Sequence, residues 1–195
     1  MTNSTTNFKA VFASTFESMT DDEGYLINQE GLSCLEICDK AIVILRASKD
    51  LEKTKNTAKE NWDIDLPEAL SISQGNDSIQ CFWISPDEYW LVHSQFQRED
   101  LWKKQASMPE DMSLVDSTGA YGALHFKGDK VHTLLSRWMG YDLSGKLTVG
   151  KVVSTTLGQA PVIVYRETEG ELMILVRHSF SHYVAGLLTD SAKRL

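Results

Sequence analysis

The sequence predicts an α+β protein of two related ββαββα units packed together. Three observations predict it. Residues 83–94 read Trp-Ile-Ser-Pro-Asp-Glu-Tyr-Trp-Leu-Val-His-Ser, two short apolar runs around a corner. Pro86 presets its φ for a turn, and Asp87 can close it through nearby backbone N–H groups. The flanking Trp83, Ile84, Trp90, Leu91 and Val92 favour a half-buried pleated surface, so the stretch is a β-hairpin. Next, the order strand, strand, helix, strand, strand, helix occurs twice. Finally, residues echo between the halves: Asp65-Leu66 with Asp142-Leu143, and Trp90 to Ser94 with Ile174 to Ser179.

Residues 1–31 are expected to form an N-terminal arm. Phe8, Val11, Phe12 and Phe16 recur at helical spacing. Asp21, Asp22, Glu23 and Gly24 then break the pattern. A short amphipathic helix of this kind docks on this chain or, by preference, on a partner.

The first unit is expected over 32–113. Leu35, Glu36 and Ile37 alternate, Asp39-Lys40 turns, and Ala41 to Leu45 forms a continuous apolar run that suits a strand covered on both faces. Asp50 can cap a helix reaching Trp62, with Leu51, Thr54, Ala58 and Trp62 on one face and solvated charge on the other. Pro67 and the loop Gln74 to Asp77 lead to the hairpin, and a helix about Arg98 to Ala106 follows.

The second unit is expected over 114–195. Strands flank Ser117-Thr118-Gly119. Asp129 is placed to cap a long helix, since Val131, Leu134, Leu135, Trp138 and Met139 share one face before Gly140. Strands follow at Val152 to Val164, broken at Gly158 to Pro161, and at Leu172 to Val176. A helix from about Ser181 to Leu188 ends the chain. Helices between strands imply crossovers, and hairpins supply antiparallel neighbours, so each unit is ferredoxin-like.

Of the 195 residues, 42% are apolar, enough for a real core. The formal net charge of −8 is uneven: residues 1–113 hold 20 acidic and 10 basic side chains, and the remainder 7 and 9. An acidic chain without a basic stripe is a poor nucleic-acid or membrane binder. The acidic half is a solvated surface or a face that meets a basic partner. No apolar run reaches the roughly 18 residues of a membrane span, and the polar start has no signal-peptide core, so a cytoplasmic setting is expected. Cys34, Cys38 and Cys81 lie among apolar residues without a Cys-x-x-Cys spacing and read as small buried hydrophobes.

Motifs for chemistry are sparse. Gly119-Ala-Tyr-Gly122 lacks the third glycine of a dinucleotide loop. His178 and His182 have a spacing that zinc sites use, yet a third ligand would have to come from His125 or His132, so no metal site is assigned. Asp87 and Glu88 lie at a hairpin tip, exposed, a poor setting for a shifted pKa. Asp116 ends a strand. It can act as a general base or a ligand contact, or brace the turn through local hydrogen bonds. It is the single cofactor-binding candidate; no catalytic residue is assigned.

The stretch Trp83 to Val92 resembles the Trp-Leu-Gly-Pro-Asp-Glu-Trp-Leu hairpin of the gamma subunit of heterotetrameric sarcosine oxidase. Further matches follow in the family's order: Leu45-Arg46, Leu66-Pro67, Val115-Asp116-Ser117 with Ala123-Leu124, Leu134-Leu135, Asp142-Leu143, Val149-Gly150, and Val176 to Phe180 with Tyr183. The resemblance covers about residues 32–195. Gly140-Tyr141 departs from the Cys-Pro that the family tends to have there, and the Pro-Pro-Gly run after it is missing.

The resemblance implies a fold similar to the aminomethyltransferase folate-binding domain. It implies alpha, beta and delta partner chains, with FAD, FMN and NAD on alpha and beta, zinc on delta, and none bound by this chain. The implied complex oxidises sarcosine to glycine and passes the one-carbon unit to tetrahydrofolate, with this chain as a non-catalytic structural subunit. Two alternatives stay open. One is a free-standing folate-binding or one-carbon-transfer protein that uses the inter-unit cleft at Asp116. The other is the corresponding subunit of an N-methylglutamate dehydrogenase complex.

Overall fold

The computed structural model describes residues 13–195. Its strands are β1 (Tyr25–Gln29), β2 (Leu32–Glu36), β3 (Ala41–Arg46), β4 (Ile72–Gln74), β5 (Gln80–Ser85), β6 (Glu88–His93), β7 (Ser113–Asp116), β8 (Tyr121–Lys127), β9 (Val152–Leu157), β10 (Ala160–Tyr165) and β11 (Glu171–Arg177). Four helices, α1 (Leu51–Trp62), α2 (Arg98–Lys103), α3 (Val131–Leu135) and α4 (Ser181–Ala192), lie between or after them. The strands form two sheets, in the orders β4-β5-β6-β3-β7 and β1-β2-β8-β11-β10-β9. The fold is α+β, as expected.

Both sheets contain the same ferredoxin-like arrangement. In the first, β3, β5, β6 and β7 serve as strands one to four of a βαββαβ unit, side by side in the order 4-1-3-2. In the second, β8, β10 and β11 serve as strands one to three. The fourth place is taken by β2, from the other end of the chain, which pairs with β8 as Glu36 with Leu124 and Cys34 with Phe126. So β2, expected to open the first unit, completes the second sheet. β7, expected to open the second unit, completes the first sheet by pairing Leu114 with Leu45. The strands on either side of 37–40 and of 117–120 are therefore not hairpin partners. All paired strands are antiparallel. Each half also carries one strand more than the sequence pattern suggests: β4 before the hairpin, and a separate β9 where Gly158, at φ +60, allows a tight turn into β10.

Strand alternation makes four layers. Ile42, Ile44, Phe82, Trp90 and Val92 of the first sheet face Val152, Ile163, Tyr165, Met173 and Leu175 of the second. The alternate residues Val43, Leu45, Cys81, Tyr89 and Leu91 face Ala58, Trp62 and Leu101 of α1 and α2. On the far side Leu124, Phe126, Val162, Val164 and Ile174 pack on α3 and α4. Ala41 to Leu45 is buried throughout, as expected of a strand covered on both faces. At one margin the sheets are stitched, with Ile72 N–H donating to Gly150 O (2.9 Å) and Val152 N–H to Leu70 O (3.0 Å).

Local signals hold unevenly. Asp50 caps α1 by accepting from the N–H groups of Glu52 and Lys53. Asp129 does not cap α3, whose N-cap is Lys130 and which stops at Leu135. Trp138 is instead turned outward, and its indole N–H donates to Ser191 Oγ of α4 (2.8 Å). The last helix runs four residues further than expected, to Ala192. Within the expected arm, Phe8, Val11 and Phe12 lie outside the described residues. Phe16 is fully buried in the core beside α3 and α4, and β1 extends the second sheet.

Candidate functional site

Where loops 37–40 and 117–120 carry the chain between the two sheets, a cleft of about 260 Å³ opens. Glu36, Lys40, Gln95, Arg98, Thr118 and Tyr121 line it, with Ala13 and Thr15 of the N-terminal segment.

Hydrogen bonds fix both loops. Asp39 accepts from Ser94 Oγ (2.8 Å) and the Gln95 N–H (2.7 Å), and Gln95 Nε2 donates to Cys38 O (2.7 Å). Thr118 Oγ1 accepts from the Ile42 N–H (3.2 Å). The loops run in parallel ways: Ile37 N–H donates to Ala123 O and Ser117 N–H to Ile42 O, both at 2.9 Å.

Asp116 does not line this cleft but is bonded to two residues that do, Arg98 and Thr118. Arg98 Nε donates to its Oδ2 (2.8 Å), and the Thr118 N–H donates to its Oδ1 (3.0 Å). Burial pushes its carboxyl up, but the bonds from Arg98 and Thr118 outweigh burial and hold it below the usual carboxylate value. Of the roles open to Asp116, bracing the turn is therefore the one its bonds perform. A carboxylate held ionised against a guanidinium is a weak proton acceptor.

Glu36 is the carboxylate that sequence reasoning missed. The alternation around it reads as solvent-facing, yet it is 8% exposed. It accepts from Ser14 Oγ (2.6 Å) and from the N–H groups of Thr15 (2.6 Å) and Phe16 (3.2 Å). The repeat holds the signal that could have found it, because Glu36 ends β2 as Asp116 ends β7. Arg98 and Lys40 were likewise not singled out; Lys40 pairs with Glu167 at 3.4 Å.

His93 lies next to Ser94, 2% exposed. Its Nδ1 donates to Ser94 O (2.7 Å), while Nε2 is buried with no partner among the described residues. Burial pushes its pKa down. Cys38 is half-buried at the cleft, with its thiol pushed up by burial and then by Glu36. Cys34 and Cys81 are buried, and all three are free thiols.

The other sequence candidates do not converge on the cleft. His178 and His182 are exposed near the start of α4, and His125 sits 3.4 Å from Glu171. Among the described residues no group of three His, Cys, Asp or Glu can hold a metal ion. At the hairpin tip Asp87 is exposed and accepts from Ser85 Oγ (2.6 Å). Glu88 is not exposed as expected. Its side chain keeps 16% of its surface, pairs with Arg46, and accepts from the Trp90 indole N–H (2.6 Å). Among the described residues no helix is long and apolar enough to cross a membrane.

Solved structures share the fold. A chain of the heterotetrameric sarcosine oxidase from Corynebacterium sp. U-96, solved in complex with pyrrole 2-carboxylate, superposes with a TM-score of 0.80 at 19% identity. The match covers 93% of this chain and 95% of that one. The glycine cleavage system aminomethyltransferase T from Bartonella henselae gives a TM-score of 0.62 at 12% identity, over 82% of this chain and 46% of that one. No curated protein matches the sequence. The family model described as sarcosine oxidase, gamma subunit, matches residues 54–194, from the first turn of α1 to the end of α4, and the chain belongs to that family.

Proposed function

We propose that this chain is the non-catalytic structural gamma subunit of a sarcosine-oxidase-type flavoenzyme complex. The complex would oxidise sarcosine to glycine and pass the one-carbon unit to tetrahydrofolate. FAD, FMN, NAD and zinc would belong to its alpha, beta and delta partners. The family match over residues 54–194 carries this reading. The cleft supports it, because the carboxylate that lines it and the one bonded behind it hold the chain's own segments in place. Glu36 secures residues 14–16, and Asp116 secures Arg98 and Thr118. The acidic first half and the N-terminal segment are the expected contact regions.

The test is co-expression with the partner chains. A yellow complex should form only with them, and the isolated chain should be colourless and inactive. Sarcosine oxidation by the chain alone would overturn the reading.

A second reading has the cleft bind folate, favoured by its volume and by the aminomethyltransferase likeness in fold. Calorimetry with tetrahydrofolate separates the two. Micromolar binding lost in Asp116→Ala would favour a folate site, and no saturable heat would favour the structural role.

A further inference from the structure

At the end of the inter-sheet layer that holds the hairpin tip, the two sheets part and leave a second groove, of about 350 Å³. It is separate in character from the crossover cleft. Its walls are largely apolar, including Ile84, Trp90, Pro161, Ile163 and Phe180.

Two charges lie at this groove, and they differ in kind. Glu88 is already neutralised by Arg46 and the Trp90 indole N–H. Arg177, the last residue of β11, is exposed. Its guanidinium lies 5.8 Å from the centre of the Tyr121 ring, and its Nε donates to Tyr121 Oη (3.3 Å). Among the described residues it pairs with no carboxylate. Tyr121 in turn packs against Trp90 at an interplanar angle of 59°, with ring centres 4.8 Å apart. The three side chains form a contiguous row that ends in a positive charge beside a largely apolar groove.

A site for a small molecule needs several polar groups that converge on the ligand. Here the charge that pairs with no carboxylate among the described residues is Arg177, on β11, and the hydroxyls of Ser154 and Thr155 lie two strands away on β9, so they do not converge with it. A Tyr and an Arg beside a largely apolar groove, backed by a buried Trp, are instead the composition of a protein–protein hot spot. A cation over an aromatic face keeps part of its attraction for an anion while its orientation is fixed in advance.

Resting on the reading of the chain as a complex subunit, we propose that this groove docks a partner chain of the complex. The partner would place an aliphatic or aromatic side chain over Ile84 and Pro161, and a carboxylate on Arg177.

The test measures the affinity of the purified full chain for the rest of its complex. Arg177→Glu should raise the apparent Kd at least tenfold and Arg177→Lys less, since Lys lacks the planar fork that meets a carboxylate. Ser154→Glu, exposed on edge strand β9 where it lines the groove, should raise it too, by setting there a carboxylate that repels the partner's own. Both positions are exposed, so melting temperatures should change little, by no more than about 3 °C even where the Arg177–Tyr121 contact is lost. Unchanged affinity in both acidic variants, with the wild-type chain still assembling, would overturn the docking surface and leave the subunit reading standing. Failure of the wild-type chain to assemble at all would sink the subunit reading, and the docking surface with it. Saturable benzoate binding by the isolated chain, lost in Arg177→Glu while assembly is unaffected, would make the groove a small-molecule site and overturn the proposal.

Discussion

Glu36 and Asp116 hold the same place in the two sheets. Each is the last residue of a fourth strand, β2 or β7, just before the chain crosses to the other sheet. Their partners differ. Glu36 gathers the N-terminal segment through Ser14, Thr15 and Phe16. Asp116 gathers Arg98 at the start of α2 and Thr118 in the following loop. One carboxylate position thus anchors a terminal segment in one sheet and a helix in the other.

Glu36→Ala removes the acceptor for two N–H groups and a hydroxyl at once. Charged hydrogen bonds contribute about 1.5–3 kcal/mol each in favourable settings, and they are not additive. A loss of about 2–4 kcal/mol in urea unfolding is expected, with Glu36→Gln losing less. A change below about 0.5 kcal/mol would mean that the segment is held by Phe16 packing alone.

Gly122 tests the same anchor from the other side. A Cβ there would lie 2.7 Å from Thr15 and 2.8 Å from the Phe16 ring. Gly122→Ala should therefore expel residues 14–16 and speed proteolysis near the N-terminus. Equal cleavage rates in variant and wild type would contradict the packing described.

Asp116→Ala should cost about 1–2 kcal/mol, at the lower end for charged hydrogen bonds because the carboxylate is 23% exposed. The sign of its pH dependence is fixed. The folded state holds its carboxyl below the ordinary value, so its contribution is full above about pH 3.9 and is lost as pH falls through the folded value. The variant should flatten the acid limb of the stability curve. Turnover of the assembled complex should be unchanged if Asp116 acts only as a brace.

His93 makes a second, higher pH effect. Burial lowers its pKa, so between the folded value and about 6.5 the unfolded chain binds a proton that the folded chain does not. Stability should be full above about pH 6.5 and decline below it. Melting temperatures from pH 7.5 to 5.5 should fall more in the wild type than in His93→Gln. Equal slopes would show that His93 does not titrate in that window.

Much of the fold is legible because its signals are local. Asp50 before a helical face ending in Trp62 marks α1, and Pro86-Asp87 between apolar runs marks the β5–β6 turn. The crossing of β2 and β7 is not legible in the same way. The order of elements is identical whether the first strand of each half pairs with its own sheet or with the other, and only long-range register distinguishes them. The α3 helix misled for a related reason. Leu134, Leu135, Trp138 and Met139 keep helical spacing through a turn, while Trp138 finds its partner on α4. Asp116 was legible as a strand-end carboxylate. Glu36 was not, because the residues that bury it lie twenty positions away, and nothing in the local alternation reports them.

The proposal that this chain is an assembly subunit without chemistry of its own can be put to native mass spectrometry of the co-expressed complex. One copy of the chain per alpha, beta and delta set is expected, carrying no flavin or folate mass when it is released from the complex. A flavin-containing assembly that forms complete and active without the chain would contradict it, as would release of the chain with bound cofactor.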